Sequence, residues 1–532
     1  MTEARPNPQS IDLGPYDRAL RLQLEDWRAT NKVSRLWERD ATLWTGGDEG
    51  RWLGWLDVID RQLAAKETLA ALQQDIVEAG FRHAVVLGMG GSSLCPDVLS
   101  RTFPTRPGFP ELHTLDSTVP AQILRLERGL ALDETLFIVA SKSGSTSEPN
   151  AFERYFFARS GEGKRFIAVT DPGSALEELA HSQNYRGVFP GEPDIGGRFS
   201  ALSNFGMVPA AVMGLDPMAF LTRARVMVEA CGPRVAPEEN PAVALGLALG
   251  VAALEGRDKV TIVTSEALGS FGAWLEQLIA ESTGKQAKGV LPVALETLGA
   301  PAVYGDDRIF VHLGLSSDPV KLPAGYPCVR IVLDSVDDLG QEFFRWELAT
   351  AVLGAVLELD PFDQPDVEAS KVKTRVLSDQ YEETGELSAE NGTFPSAEEL
   401  RALLDQLEPD DYFAIQAYVD MSPENDAILQ SIRMRVRDTR RVATTLGYGP
   451  RFLHSTGQFH KGGPNRGLFL QITADDAQDI EIPGRRYTFG HLKRFQAQGD
   501  LEVLRERDRR VLHAHLGPDV TSELKRLRER LS

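Results

Sequence analysis

Short apolar runs that release into a glycine- or serine-rich turn and then a helical pattern constrain this chain most. His83–Leu87 (HAVVL) is followed at once by Gly88-Met89-Gly90-Gly91-Ser92-Ser93 and a helical segment to about Leu99. LHTLDS, TLFIVAS (135–141) and RFIAVTD (165–171) repeat the pattern, with helical stretches such as AFERYFFARS between them. Strands that alternate with helices imply right-handed βαβ crossovers and a parallel sheet. A second series begins after the proline-rich break at 232–241, with KVTIVTS (259–265), RIFVHLGL (308–315) and CVRIVLDS (328–335). The expected fold class is therefore α/β, with two doubly wound parallel-sheet lobes.

The flanks have a different texture. Residues 1–10 read as a disordered tail, and Ile11 to about Gly80 as helical, with Gly80 a C-cap. Trp44, Trp52 and Trp55 read as packing residues. From about Ser370 the chain is more polar and helical, with apolar stretches at DYFAIQAYV and GLFLQIT. These features predict an N-terminal helical segment (1–80), a first lobe (81–232), a second lobe (240–375) and a smaller C-terminal α+β region (376–532) packed on the second lobe.

Composition narrows the function classes. A net charge of -20 argues against nucleic acid as a partner. Three cysteines without metal-like spacing suggest neither a disulfide framework nor a zinc site. The N-terminus lacks a signal-peptide pattern, and no run of about 18 apolar residues could span a membrane. A cytoplasmic protein without a membrane partner, metal or cofactor is the expectation.

Five segments carry chemistry. GMGGSS (88–93) lets the backbone approach a ligand and presents N–H groups at a helix start. It is not the dinucleotide fingerprint, because Ser93 stands where the last glycine would be required. Ser141-Lys142-Ser143-Gly144-Ser145-Thr146-Ser147-Glu148 offers five hydroxyls and a lysine at another helix start. A cap needs one hydroxyl, so the surplus points to a phosphate dianion. Gly196-Gly197-Arg198-Phe199-Ser200 presents a planar cationic fork with little steric hindrance. In Trp274–Lys285 (WLEQLIAESTGK), Glu281 sits near a helix C-terminus, where the dipole does not favour an anion. A turn and helix, PFDQPDVEASK (361–371), completes the set.

Taken in this order and at these intervals, VVLGMGGSSLCPDVL, SKSGSTSE, DIGGRFSALS, LIAESTGK and PFDQPDVEASK resemble the glucose-6-phosphate isomerase family, over about residues 80–375. WLEQLIAESTGK, PFDQP and LHSTGQFHKGGPN are most similar to the isomerase half of fusions with transaldolase. No transaldolase barrel is visible, so a free-standing isomerase is expected. The resemblance implies two SIS-type (sugar isomerase) lobes. It also implies reversible interconversion of glucose 6-phosphate and fructose 6-phosphate through a cis-enediolate, without metal. In that reading Glu281 is the base, Arg198 stabilises the enediolate, and Gly91, Ser92, Ser141, Lys142, Ser143 and Thr146 surround the phosphate. Lys371 would assist ring opening and Gln364 line the site. The alternatives are an isomerase that also takes mannose 6-phosphate, and a non-catalytic sugar-phosphate sensor. A homodimer and a working link to a transaldolase are further implications.

One departure stands out. The family's ring-opening histidine has no counterpart in Gly340–Thr350, GQEFFRWELAT. Glu347, His454 and His460 are the candidate substitutes.

Overall fold

The computed structural model describes residues 5–386 and 392–531. Fourteen strands run in chain order: β1 (Gln9–Asp12), β2 (His83–Leu87), β3 (Glu111–Leu115), β4 (Thr135–Ala140), β5 (Phe166–Thr170), β6 (Gly187–Pro190), β7 (Lys259–Thr264), β8 (Leu291–Val293), β9 (Arg308–Leu315), β10 (Cys328–Leu333), β11 (Tyr412–Tyr418), β12 (Ala443–Tyr448), β13 (Gly467–Ala474) and β14 (Arg510–Leu516). They form three sheets, ordered β3-β2-β4-β5-β6, β1-β10-β9-β7-β8 and β12-β11-β13-β14.

The first sheet is parallel throughout. Its buried strands read as continuous apolar runs because helices cover both faces, as parallel sheets require. The chain leaves β2 toward β3 on one side and returns to β4 on the other. That reversal opens a crevice beyond the carboxyl ends of β2 and β4, where open α/β sheets bind ligands. The two loops there are Gly88–Ser93 and Ser141–Glu148.

The structure corrects two expectations. Residues 1–4 of the expected tail lie outside the described residues, but residues 7–10 are not free: β1 pairs antiparallel with β10, placing Gln9 opposite Ile331. Asn7 is buried, receives a hydrogen bond from Arg345 on its carbonyl, and donates to Glu342. A four-residue edge strand, QSID, carries no apolar signal for periodicity to detect. The C-terminal region is not α+β, because its four strands are all parallel. It is a third α/β layer, and its four strands follow the same order as β3-β2-β4-β5 of the first sheet. β12 and β14 lack the long apolar runs by which β11 and β13 could be seen.

This third layer packs on both lobes. Phe489, Leu492 and Phe495 join the aromatic cluster on one face of the first sheet, with Phe489 6.0 Å from Phe152. Tyr412, Ala414 and Phe469 pack against Leu291 and Val293 of the second sheet. Trp44 and Trp55 are packing residues: Trp55 lies 5.5 Å from Phe199, and Trp44 meets Phe362 edge-on at 5.5 Å. Among the described residues no helix is long and apolar enough to cross a membrane.

A buried charge cluster fastens the third layer to the second lobe. Glu296 lies 3.4 Å from Arg308 and 3.4 Å from Arg437, and its side chain and that of Arg308 are fully buried. Arg433 adds bonds to the carbonyls of Ala294 (2.8 Å) and Thr444 (3.0 Å), spanning the joint. Removing one member of a buried ion pair strands the others in low dielectric. Glu296→Ala should therefore cost about 3–5 kcal/mol, seen as a lower urea midpoint, while a surface variant such as Glu25→Ala should not move it.

Candidate active site

The first lobe contributes two turns. Gly90 takes φ +56°, and a β-carbon there would come within 2.8 Å of the Gln277 amide nitrogen. A β-carbon on Gly91 would lie 1.9 Å from the carbonyl oxygen of Gly197. These glycines let the turn that carries Arg198 press directly against the Gly88–Ser93 loop, where Ser92 stays half-buried. Ser93, behind it, donates to the Gly90 carbonyl (3.1 Å) and to Asp116 (3.3 Å).

The second turn precedes the helix Ser147–Ser160. Thr146 is its N-cap, but its side chain makes no capping hydrogen bond. Ser141 donates to the Thr146 hydroxyl at 3.3 Å, and Ser143 and Ser145 share a 2.8 Å bond. The hydroxyls thus surround a helix start whose N–H groups no side chain caps, a site built for an anion. Lys142 turns elsewhere, donating to Asp171 (2.6 Å) and the Glu192 carbonyl (2.8 Å).

Arg198 is buried at the joint between the lobes. It donates to Ser282 Oγ (2.7 Å), Gln364 Oε1 (2.8 Å) and the carbonyls of Pro361 and Asp363 (2.9 Å). Lys285 grips the same turn through the carbonyls of Asp360 and Asp363, both at 2.6 Å. Burial and the neighbouring Arg198 pull the Lys285 amine down to about 8. Glu281 lies near the end of the helix Phe271–Thr283, with Oε1 3.6 Å from Arg198 Nη1. Its other oxygen accepts 3.0 Å from Gln277, one turn earlier.

The third layer supplies the rest. Gln277 also donates 2.8 Å to the His454 carbonyl, so one amide links Glu281 to the loop after β12. The His454 ring Nε2 lies 3.0 Å from Glu148 Oε1. Gln496 donates 2.7 Å to that oxygen and accepts 2.7 Å from Thr118. Burial would raise the Glu148 carboxyl, but the His454 contact outweighs it and holds the group below its ordinary value. A cavity of about 220 Å³ lies here, lined by Ser143, Ser145, Thr146, Glu148, Lys371 and His454. Lys371 is partly exposed and 3.4 Å from Glu368.

The structure separates the three candidate substitutes. His454 faces this cavity. Glu347 is fully buried within the helix Leu339–Leu357, and its carboxyl oxygens have no hydrogen-bond partner among the described residues. Burial pushes its carboxyl well above the ordinary range. His460 is buried against Tyr412, 3.2 Å from the phenol oxygen, and 5.2 Å from the Phe469 ring. Neither of the two lines the cavity. Glu148, Gln277 and Gln496 are site residues that sequence reasoning misses. Glu148 stands inside a quoted motif and Gln277 one turn before Glu281, whereas nothing local marks Gln496.

The Phosphoglucose isomerase family model matches residues 73–308. A glucose-6-phosphate isomerase of Symbiobacterium thermophilum is 29% identical over 427 residues, 68% of this chain and 92% of that protein. One of Rubrobacter xylanophilus is 31% identical over 357 residues, 55% of this chain and 81% of that protein. A crystal structure of a hypothetical protein from Thermus thermophilus superposes with TM-score 0.58 at 27% identity. It covers 69% of this chain and 99% of its own, so nearly a third of this chain has no counterpart there.

The uncapped helix start yields a direct test. Inorganic phosphate at 100 times its dissociation constant should stabilise the protein by about 2.7 kcal/mol, read as a higher thermal midpoint. Thr146→Val should lose most of that shift.

Proposed function

The chain belongs to the phosphoglucose isomerase family, and from this and the geometry above we propose how it interconverts glucose 6-phosphate and fructose 6-phosphate. The observation that carries the proposal is Glu281 placed between Arg198 and the Gln277 amide, which also donates to the carbonyl of His454 on the wall of the cavity that ends at Thr146. The phosphate binds the hydroxyls of Ser141, Ser143 and Thr146, with the Gly91–Ser92 turn alongside. Glu281 takes the proton from C1 of the open-chain ketose. The C–H electron pair becomes the C1=C2 bond, and O2 becomes an enediolate oxygen. Arg198 stabilises that charge in a site shielded from water. The O1 proton passes to O2, and Glu281 returns its proton to C2, which closes the C1 carbonyl and leaves the aldose.

His454 takes the role for which Gly340–Thr350 has no histidine. With Nε2–H directed at the ionised Glu148, its Nδ1 is the ring nitrogen that exchanges a proton with the sugar ring oxygen. Lys371, on the same wall, adds positive charge near the anomeric oxygen. Gln364 acts through Arg198, holding the guanidinium in plane. The proposal places the protein in the cytoplasm, in keeping with three free thiols. It includes a homodimer and a separate transaldolase working alongside, both on family resemblance.

Two variants test the assignments. Glu281→Gln should lower kcat about 10²–10⁴-fold for fructose 6-phosphate; unchanged turnover would remove it as the base. His454→Gln should lose comparable activity on fructose 6-phosphate yet retain it on 5-deoxyfructose 6-phosphate, which cannot close its ring. Equal losses on both substrates would deny His454 that role.

A further inference from the structure

We propose that His83, Glu111 and His113 form a divalent transition-metal site at the amino-terminal edge of the first sheet, away from the isomerase centre. Strand register creates it. β2 and β3 pair in parallel with His83 opposite Glu111 and Val85 opposite His113. The side-chain period of two puts residues 111 and 113 on one face. Two imidazoles separated by 30 positions in sequence thus meet, with His83 Nδ1 3.3 Å from His113 Nε2. Zinc–nitrogen bonds of about 2.0–2.1 Å in a tetrahedron require nitrogens about 3.3 Å apart. The two rings already stand at that separation.

The third donor is near. Glu111 Oε2 is 3.9 Å from His113 Nε2, and the three ligand atoms all fall within 4.8 Å of one another. Closing to both tetrahedral edges takes a swing of about 0.5–1.5 Å by a carboxylate that is 62% exposed. Two imidazoles and one carboxylate suit zinc, cobalt, nickel or copper rather than magnesium or calcium. The fourth position opens onto a crevice of about 490 Å³ that Glu111 and His113 help to line. Water, or a donor from another molecule, would fill it.

The location sets the role. β2 is five residues long, so its first residue lies roughly 15 Å from the phosphate loop at its other end. A bound ion would tie edge strand β3 to β2 without entering the reaction.

The test uses the full chain stripped with chelator and titrated with cobalt chloride, then zinc chloride. One cobalt per chain should give the visible band of tetrahedral cobalt, and one equivalent of zinc should abolish it. His83→Gln and His113→Gln should each lose the band. Glu111→Gln, on the exposed edge and harmless to folding, should weaken binding about tenfold or more. Fructose 6-phosphate turnover should be the same with and without metal. Absence of a band with excess cobalt, or a band that survives in both histidine variants, would overturn the site and leave a hydrogen-bonded histidine pair.

Discussion

The architecture around the site depends on burying the Arg198 guanidinium between the lobes. Removing such a cation from water costs several kcal/mol unless fixed acceptors replace the solvent. Ser282, Gln364 and two backbone carbonyls supply that replacement, and Glu281 supplies the countercharge. Each of these groups comes from one of two segments, ESTGK or PFDQP. Lys285 grips the same turn, so the two segments form one clamp. Phe199, Phe362, Trp44 and Trp55 pack around that clamp and fix its outer side.

The third layer completes what the clamp begins. Gln458, fully buried in the LHSTGQFHKGGPN segment, donates to the Gly284 carbonyl (2.9 Å) and Asp366 (2.6 Å), and accepts from the Asp366 and Val367 amides. It joins the end of the Glu281 helix to the start of the Lys371 helix. Gly284 is needed for this approach, since a β-carbon there would lie 2.3 Å from the Phe459 backbone. Lys461 pairs with Asp500 where both are fully buried, and His460 packs against Tyr412. One short segment therefore gives a cavity histidine, a buried bridging amide, a packed ring and a buried cation.

The site is legible in the sequence where function resides in local loops. GMGGSS, SKSGSTSE, GGRFS and ESTGK can be read because each needs its glycines and hydroxyls in fixed order after a strand or at a helix end. The two lobes are legible because continuous apolar strands announce a covered parallel sheet. What escapes depends on distant pairing. β1 gains its place only from β10, and the parallel third layer only from pairings among β11–β14. Lys142 stands among the hydroxyls of the Ser141–Glu148 loop, but Asp171, 29 residues on, takes its amine. His83 and His113 are unremarkable until register sets them side by side.

His454 reaches the cavity from far along the chain. A ring-opening group needs a fixed position beside the anomeric carbon and a partner to hold its tautomer, not a particular helix. Glu148 stands buried at the start of the helix Ser147–Ser160, where the His454 contact outweighs burial and holds its carboxyl below the ordinary value. His454, 3.0 Å from it, thereby has a partner to hold its tautomer. The third layer repeats the β3-β2-β4-β5 order of the first sheet, and the loop that leaves β12 carries His454 to that carboxylate. Gln277 then ties that loop to Glu281, so Glu281, His454 and Glu148 share one hydrogen-bonded frame. A side chain such as Glu347, though closer in sequence to the missing histidine, cannot serve from a position that solvent and substrate do not reach.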